Sequence, residues 1–237
     1  MPNSKNSVVG IARRLGRDVE KLEFTTPSHA YNPLRYAWPA HQTYLERFGN
    51  VTGRVFLLGM NPGPWGMAQT GVPFGDVVLV RDWLGIEAPL VPPLPEQHPK
   101  YPIMGFDSYR REGSGSRLWG WARDRFGGAD DFFERFFVWN YCPLLFIGEG
   151  RNLTPEKLKG DEAAPLLAAC NQALSTLIKA LSPTVVVGVG RYAERRAREV
   201  LGGRLSVGYL PHPSPASPAA NRGWPELAEQ ALAPWLT

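Results

Sequence analysis

Short apolar runs alternate along the chain with stretches in which apolar positions recur at helical spacing. Four runs have the length and composition of buried parallel strands, at 54–59, 136–139, 184–188 and 205–209. Helical spacing is found over 33–48, 77–86, 116–126, 161–181, 191–201 and from about 225 to 236. This alternation predicts a parallel sheet with helices on both faces.

The segments outside this alternation are expected to be loops or loosely ordered. The first 29 residues have no clean period and predict a loosely ordered lead-in. Residues 60–75, 87–106 and 148–160 are rich in glycine, proline or polar residues and predict loops. No internal repeat and no linker divides the chain, so we expect one domain over 1–237.

Composition and charge narrow the function classes only slightly. The net charge of +4 weakly favours a polyanionic partner such as DNA. No apolar run approaches the ~20 residues of a membrane span, and two cysteines are too few for a disulfide framework or a four-thiolate metal site. The four histidines lack paired metal spacing. We therefore expect a cytoplasmic, bacterial-type protein with no metal, no cofactor and no membrane partner.

Ligands of parallel sheets bind outside the carboxyl ends of the strands. This rule selects the segments that begin at Met60, Asn140 and His212. Another strand end carries Gly188-Val-Gly190-Arg-Tyr-Ala193, which matches the dinucleotide-binding fingerprint. However, no Asp or Glu occurs over 202–221 to hold a ribose hydroxyl. A tight strand-to-helix turn is therefore the preferred interpretation of that segment.

The loop after the first predicted strand, 59–75, reads GMNPGPWGMAQTGVPFG. Its glycines and prolines predict a rigid backbone that a flat ligand can approach closely. Phe74, between Pro73 and Gly75, is placed to form an aromatic wall. Taken alone, the loop would be interpreted as a structural Ω-loop, which is common.

Three further segments decide between these interpretations: 140–144 (NYCPL), 212–215 (HPSP) and 221–224 (NRGW). With the loop at 59–75 they strongly resemble, in the same order, the motifs of the single-strand-selective monofunctional uracil-DNA glycosylase family. Residues 31–38 resemble that family's entry helix, so the resemblance covers the chain from about Tyr31. It implies a three-layer α/β/α sandwich with a central four-stranded parallel sheet. It also implies hydrolysis of the N-glycosidic bond of uracil, and of 5-hydroxymethyluracil, in single- and double-stranded DNA.

The resemblance also assigns roles to single residues. Asn61 matches the residue that positions the attacking water, and His212 matches the donor to uracil O2 as negative charge develops. Asn140 matches the base reader, whose amide accepts from uracil N3–H and donates to O4. Phe74 matches the residue that stacks on the flipped base. The main chain of two further residues is expected to line the pocket, namely Met60 and Gly63.

DNA contacts are expected on the segment that resembles the family's duplex wedge and on one basic loop. The candidate residues are Pro213, Ser214, Pro215, Ala216, Arg222, Arg151, Asn152 and Lys157. Ala216 stands where several family members carry a larger basic residue, which predicts weaker wedging and a shift toward single strands. The three motif loops contain no lysine that could form a Schiff base. The expected product is therefore an abasic site and free uracil, released by a monomer.

Two alternatives remain open from the sequence. The first is a related glycosylase of the superfamily that removes other deaminated bases, such as xanthine or hypoxanthine. The second is a non-catalytic reader of single-stranded DNA that uses Phe74 as a stacking platform. The triplet Asn61, Asn140 and His212 argues against the reader, because stacking alone does not require three polar groups at one site.

Overall fold

The computed structural model describes residues 7–236, which form seven strands and ten α-helices. The strands are β1 (His29–Tyr31), β2 (Val55–Gly59), β3 (Phe136–Asn140), β4 (Leu145–Gly148), β5 (Arg151–Leu153), β6 (Val185–Val189) and β7 (Val207–Leu210). The helices are α1 (Val8–Val19), α2 (Pro33–Tyr36), α3 (Trp38–Phe48), α4 (Met67–Thr70), α5 (Val77–Asp82), α6 (Gly113–Phe126), α7 (Ala129–Arg135), α8 (Gly160–Leu181), α9 (Arg191–Leu201) and α10 (Trp224–Leu232).

The centre of the fold is a parallel sheet in the order β3-β2-β6-β7. Every residue of β2, β3 and β6 is buried, as expected for strands covered by helices on both faces. The predicted α/β/α sandwich with four parallel strands is confirmed. The last strand begins at Val207, two residues later than its apolar run predicts.

The N-terminal segment is the clearest correction. Residues 8–19 form α1, which buries Val8, Ile11, Leu15 and Val19 and packs on α8. The apolar positions recur at three- and four-residue spacing between basic residues, so they form one helical stripe. The expectation of a loosely ordered lead-in over 1–29 is therefore wrong for residues 8–19, and residues 1–6 lie outside the described residues.

The helix predicted over 33–48 is divided at Ala37 into α2 and α3. Pro39 explains the break, because its ring in a continuous helix would clash with the carbonyl of Arg35. The two parts stay packed together, and the Tyr44 hydroxyl at the middle of α3 donates to the Val138 carbonyl of β3 at 2.7 Å. The break thus leaves α3 fixed to the central sheet.

A second, antiparallel sheet in the order β1-β4-β5 was not predicted. Its strands have three or four residues, too few for a period-two pattern to be recognised, and β5 lies inside the predicted polar loop at 148–160. Helix α7 was not predicted either, because its seven residues are too few to show a clear helical period. Within residues 7–236, none of the helices combines the length and apolar character that crossing a bilayer requires.

Candidate active site

The carboxyl ends of β2 and β3 lie side by side, because Gly59 and Asn140 are register partners in the parallel ladder. The pairing continues into both loops: Tyr141 N–H donates to the Gly59 carbonyl at 2.9 Å, and Cys142 N–H donates to the Met60 carbonyl at 2.8 Å. The predicted pocket residue Met60 therefore contributes main chain to this edge. The two loops that follow the strands leave the sheet at one place.

Asn140 and Phe74 both pack against the bare Cα of Gly59. A Cβ on Gly59 would overlap Asn140 Oδ1 and would lie 2.7 Å from the Phe74 ring. Asn140 is only 5% exposed, and its Nδ2 donates to Met67 Sδ at 3.3 Å. Its Oδ1 accepts no hydrogen bond from residues 7–236. A thioether is a weak acceptor, so both ends of this amide remain available to a ligand.

Phe74 is held in a backbone conformation that residues other than glycine rarely adopt, with φ of 53°. Such a residue costs on the order of 1–3 kcal/mol and persists only when its surroundings enforce it. Asp76 N–H donates to the Phe74 carbonyl at 2.8 Å, and Trp119 Nε1 donates to the Pro73 carbonyl at 3.2 Å. The aromatic wall is thus rigidly positioned.

The buried carboxylate of Asp76 fixes the far end of the same loop. It accepts from Arg111 Nε at 2.7 Å, Ser116 Oγ at 2.9 Å, Glu112 N–H at 3.1 Å and Leu79 N–H at 3.2 Å. Burial raises the pKa of Asp76, but the hydrogen bonds outweigh burial and hold the pKa below its usual value. The group stays ionised and ties the loop to the start of α6.

Asn61 is half-buried and is oriented by the loop that follows β3. Its Nδ2 donates to the Leu144 carbonyl at 3.1 Å. Because the amide nitrogen is engaged, Oδ1 is the free end, and it accepts no hydrogen bond from residues 7–236. An amide oxygen can accept a hydrogen bond from water but cannot take up a proton at neutral pH.

His212 lies beside Phe74, with the two ring centroids 5.9 Å apart. Its Nδ1 accepts from Ser214 N–H at 3.1 Å, which assigns the remaining proton to Nε2 in the neutral ring. Burial lowers the pKa of His212 to about 4. At neutral pH this residue is therefore an uncharged donor through Nε2–H.

Gly190 makes room for the His212 ring. Gly190 has φ of 91° and begins α9, so the predicted strand-to-helix turn is present. A Cβ on Gly190 would lie 3.3 Å from Cβ and Cδ2 of His212. The close approach of the imidazole, rather than a dinucleotide, accounts for glycine at this position.

Glu112 also lies next to the site, although it was not predicted from the sequence. A Cβ on Gly63 would lie 3.5 Å from Glu112 Oε1, and a Cβ on Gly66 would lie 2.6 Å from Glu112 Cγ. The carboxylate accepts from Ser114 N–H at 3.2 Å and from Gly115 N–H, and so caps α6. Burial raises the pKa of Glu112. Glutamate is not a favoured N-cap residue, so no local signal identified this role.

The loop expected to face DNA lies next to His212. Pro213 is buried, whereas Pro215, Ala216 and Arg222 are exposed. Arg117 of α6 spans the loop: its Nη1 donates to the Pro213 carbonyl at 3.0 Å and its Nη2 donates to Asn221 Oδ1 at 2.7 Å. Ser214 accepts at Oγ from Ala216 N–H at 3.1 Å. The loop is thus closed on itself while its tip faces solvent.

The basic loop predicted to bind DNA is not joined to the pocket. Arg151 and Asn152 lie on β5, opposite Gly148 and Ile147 of β4. Lys157 follows in an exposed turn. Within residues 7–236, no hydrogen bond or ring contact joins these three residues to Asn61, Asn140 or His212.

Comparison with known proteins identifies the family. The model of the uracil DNA glycosylase superfamily matches residues 46–233. Single-strand selective monofunctional uracil DNA glycosylases from mouse, rat and cattle are 46%, 47% and 45% identical to the chain over 224 residues. The alignments cover 92% of this chain and 80–82% of those proteins. The chain belongs to this glycosylase family.

The fold of this family member also has a solved counterpart. The crystal structure of wild-type SMUG2 from Pedobacter heparinus superposes with a TM-score of 0.64, covering 94% of this chain and 96% of that one, at 15% sequence identity. At that identity the likeness concerns the fold alone. Within residues 7–236, no group of three or more His, Cys, Asp or Glu side chains is arranged to hold a metal ion.

Proposed function

We propose that the protein is a monofunctional DNA glycosylase of base-excision repair, which hydrolyses the bond between uracil and deoxyribose and leaves an abasic site. One observation carries the proposal. Asn140 packs on Gly59 beside Phe74, His212 lies next to Phe74, and Asn61 follows Gly59 by two residues in the same loop. Each of the three has one polar end bonded within the protein and the other end free. Family membership supports the same enzyme class.

Asn140 selects the base. Its Oδ1 accepts from uracil N3–H, and its Nδ2 exchanges the weak Met67 acceptor for uracil O4. Cytosine presents the opposite pattern, an acceptor at N3 and a donor at N4, and would leave buried polar groups unpaired. Phe74 stacks on the flipped base. The base reaches the pocket at a cost of a few kcal/mol, least in single strands.

His212 stabilises the leaving group. As the bond from C1′ to N1 breaks, its electron pair goes to uracil, and O2 gains negative charge. The neutral Nε2–H of His212 donates to that oxygen. A fixed donor aimed at a developing anion is typically worth about 2.7–4 kcal/mol.

Asn61 positions the water that completes the reaction. Its Oδ1 holds one water proton, and the water oxygen bonds to the cationic C1′ of the sugar. The released proton passes to solvent, because the amide cannot accept it. This arrangement suits a dissociative mechanism in which a weak nucleophile captures an already formed cation.

The range of substrates is also a proposal. We infer that single-stranded DNA is preferred, since the exposed wedge tip carries alanine, and no larger basic residue, at position 216, and the mammalian relatives are named single-strand selective. Gly63 has no side chain, so we expect 5-hydroxymethyluracil to be accepted beside C5 of the base. The protein is proposed to act as a monomer and to contact DNA phosphates also through Arg151, Asn152 and Lys157.

The test is excision from labelled single-stranded DNA that carries one uracil, in EDTA, with samples divided with and without alkali. Cleavage that depends on alkali, and that is absent from a thymine control, is the expected result. Asn61→Ala should lose turnover but keep DNA affinity. No abasic product from single- or double-stranded uracil DNA would overturn the proposal. Assays with xanthine and hypoxanthine DNA would then distinguish the two alternatives. Release of either base indicates a related glycosylase, and release of neither favours the non-catalytic reader of single-stranded DNA.

A further inference from the structure

Tyr109 is unusually exposed for an aromatic residue. Among the large hydrophobic side chains of residues 7–236 it is the most exposed, at 73%, and the other exposed members of that group are valines. The guanidinium of Arg110 lies 5.9 Å from the centroid of its ring and 4.5 Å from that of Trp65. Two aromatic rings and a cation therefore form one surface cluster, here called the 65/109/110 cluster.

This cluster lies where the two ligand-facing loops meet. Trp65 belongs to the loop that carries Asn61. Two residues after Arg110, Glu112 touches Gly63 and Gly66 of that loop. The next residue, Gly113, faces the wedge loop so closely that a Cβ there would lie 2.6 Å from Pro215 Cγ. The 65/109/110 cluster is therefore joined to the pocket loop through Trp65 and Glu112, and to the wedge loop through Gly113.

The backbone that follows Tyr109 and Arg110 is held rigidly at residues 111 and 112. Arg111 Nε and Glu112 N–H both donate to the buried Asp76 carboxylate, at 2.7 and 3.1 Å. Tyr109 and Arg110 therefore extend from a fixed point, and a ligand that stacks on them need order only two side chains. This lowers the conformational entropy lost on binding.

The chemistry of the cluster matches single-stranded DNA. Unpaired bases offer flat faces that stack on aromatic rings in any sequence, whereas duplex bases are already stacked on each other. The cation over the rings adds attraction for bases and phosphates. Basic character continues along the surface, since Tyr101 packs 6.0 Å from Trp65 and the Lys100 ammonium lies 5.4 Å from the Tyr101 ring.

We propose that Tyr109, Arg110 and Trp65 form a stacking platform for the nucleotides next to the flipped base in single-stranded DNA. This proposal rests on the proposed glycosylase function. It gives one structural reason why that enzyme would prefer single-stranded DNA. Tyr109 and Arg110 contribute to binding of these flanking nucleotides and do not touch the reacting atoms.

The experiment compares two single-stranded substrates, each with one uracil. In the first the flanking nucleotides are thymidines, and in the second they are abasic spacers that keep the phosphates. For Tyr109→Ala we expect KM to rise about tenfold on the first substrate, with kcat unchanged and no further change on the second. Tyr109→Phe should behave as wild type. Val51→Ala, an equally simple change at an exposed site before β2, is the surface control.

Three outcomes would overturn the platform: an unchanged KM for Tyr109→Ala, an equal loss on both substrates, or an equal loss on duplex uracil DNA. Binding of uracil-free single-stranded DNA gives a readout independent of chemistry, and Tyr109→Ala should weaken it by a similar factor. If the wild type releases no uracil, the glycosylase proposal fails, while this binding measurement still decides the platform.

Discussion

The loop over 59–76 and the loop over 213–222 both face the proposed substrate, but they are held in opposite ways. In the first, the amide of Gln69, only 1% exposed, donates to the carbonyls of Pro64 and Pro102 and accepts from Met104 N–H. The Asp76 carboxylate closes its far end. The second loop is held by Arg117 and by hydrogen bonds within itself, such as that from Asn221 Nδ2 to the Pro215 carbonyl at 2.9 Å, and its tip is exposed.

This difference follows from what each loop must do. A pocket that stabilises a developing anion works only when its donors are already in place, because reorganisation would cancel the gain. A segment that meets DNA must fit strands of varying conformation, so it benefits from an exposed tip on a fixed base. Four measurements test whether the two loops differ in this way.

The largest loss of activity is expected when His212 is replaced. His212→Ala removes the Nε2–H that we propose donates to uracil O2, and it should lower kcat about 10²–10³-fold, as for other anion-stabilising donors. Single-turnover excision from uracil DNA measures this. His29→Ala, a change at another half-buried histidine, is the control and should stay within twofold of wild type. A rise in KM with kcat unchanged would contradict the assigned role.

A methyl group at the floor of the pocket should also be severe. Gly59→Ala places Cβ against Asn140 Oδ1 and Phe74, so the reader and the stacking ring must shift, and we expect a loss of about 10²-fold in kcat/KM. Gly120→Ala in α6 is the matched control, because its Cβ would meet no atom within 4 Å. Equal activity of the two variants would refute the close packing at Gly59.

The wedge loop should respond more weakly and selectively. Arg117→Gln removes the contacts to Pro213 and Asn221, so the loop should open, and excision from duplex DNA should fall several-fold while single-stranded excision changes little. Arg123→Gln, on the exposed side of the same helix, is the control. The ratio of duplex to single-stranded rates is the measurement, and an unchanged ratio would exclude a supporting role for Arg117.

The smallest effect concerns pH. Because the pKa of His212 is about 4, its neutral form dominates above pH 5, and kcat should show no inflection from His212 between pH 5.5 and 8. In the unfolded chain the ordinary pKa is about 6.5, so the unfolded state binds more protons between the two values. Stability should therefore fall as pH drops from about 6.5 to 4.

Thermal unfolding across this pH window tests that stability. His41 contributes in the same direction, since burial lowers its pKa to about 4 as well. His212→Ala should remove one of the two contributions and flatten the dependence of Tm on pH. A kcat that titrates near pH 6.5 would mean that His212 works as a cation, contrary to the bond from Ser214 N–H to Nδ1.

The central strands and the ends that carry Asn61, Asn140 and His212 were predictable from sequence. Continuous apolar runs identify strands buried on both faces, and parallel strands bring their carboxyl ends to one edge. Family motifs add roles because they name residue types in order. The apolar stripe of helix α1 was equally visible in the sequence, because its apolar positions recur at helical spacing between basic residues. The predicted lead-in did not take this stripe into account.

The supports of the site could be seen only in three dimensions. Glu112 and Arg117 lie far along the chain from the loops they hold, and Tyr109 stands out only because its surroundings leave it exposed. The apolar pattern of a chain decides which segments are buried, because burial depends on each residue's own affinity for water. Contacts between distant segments depend on how those segments pack, and that was decided by the tertiary structure.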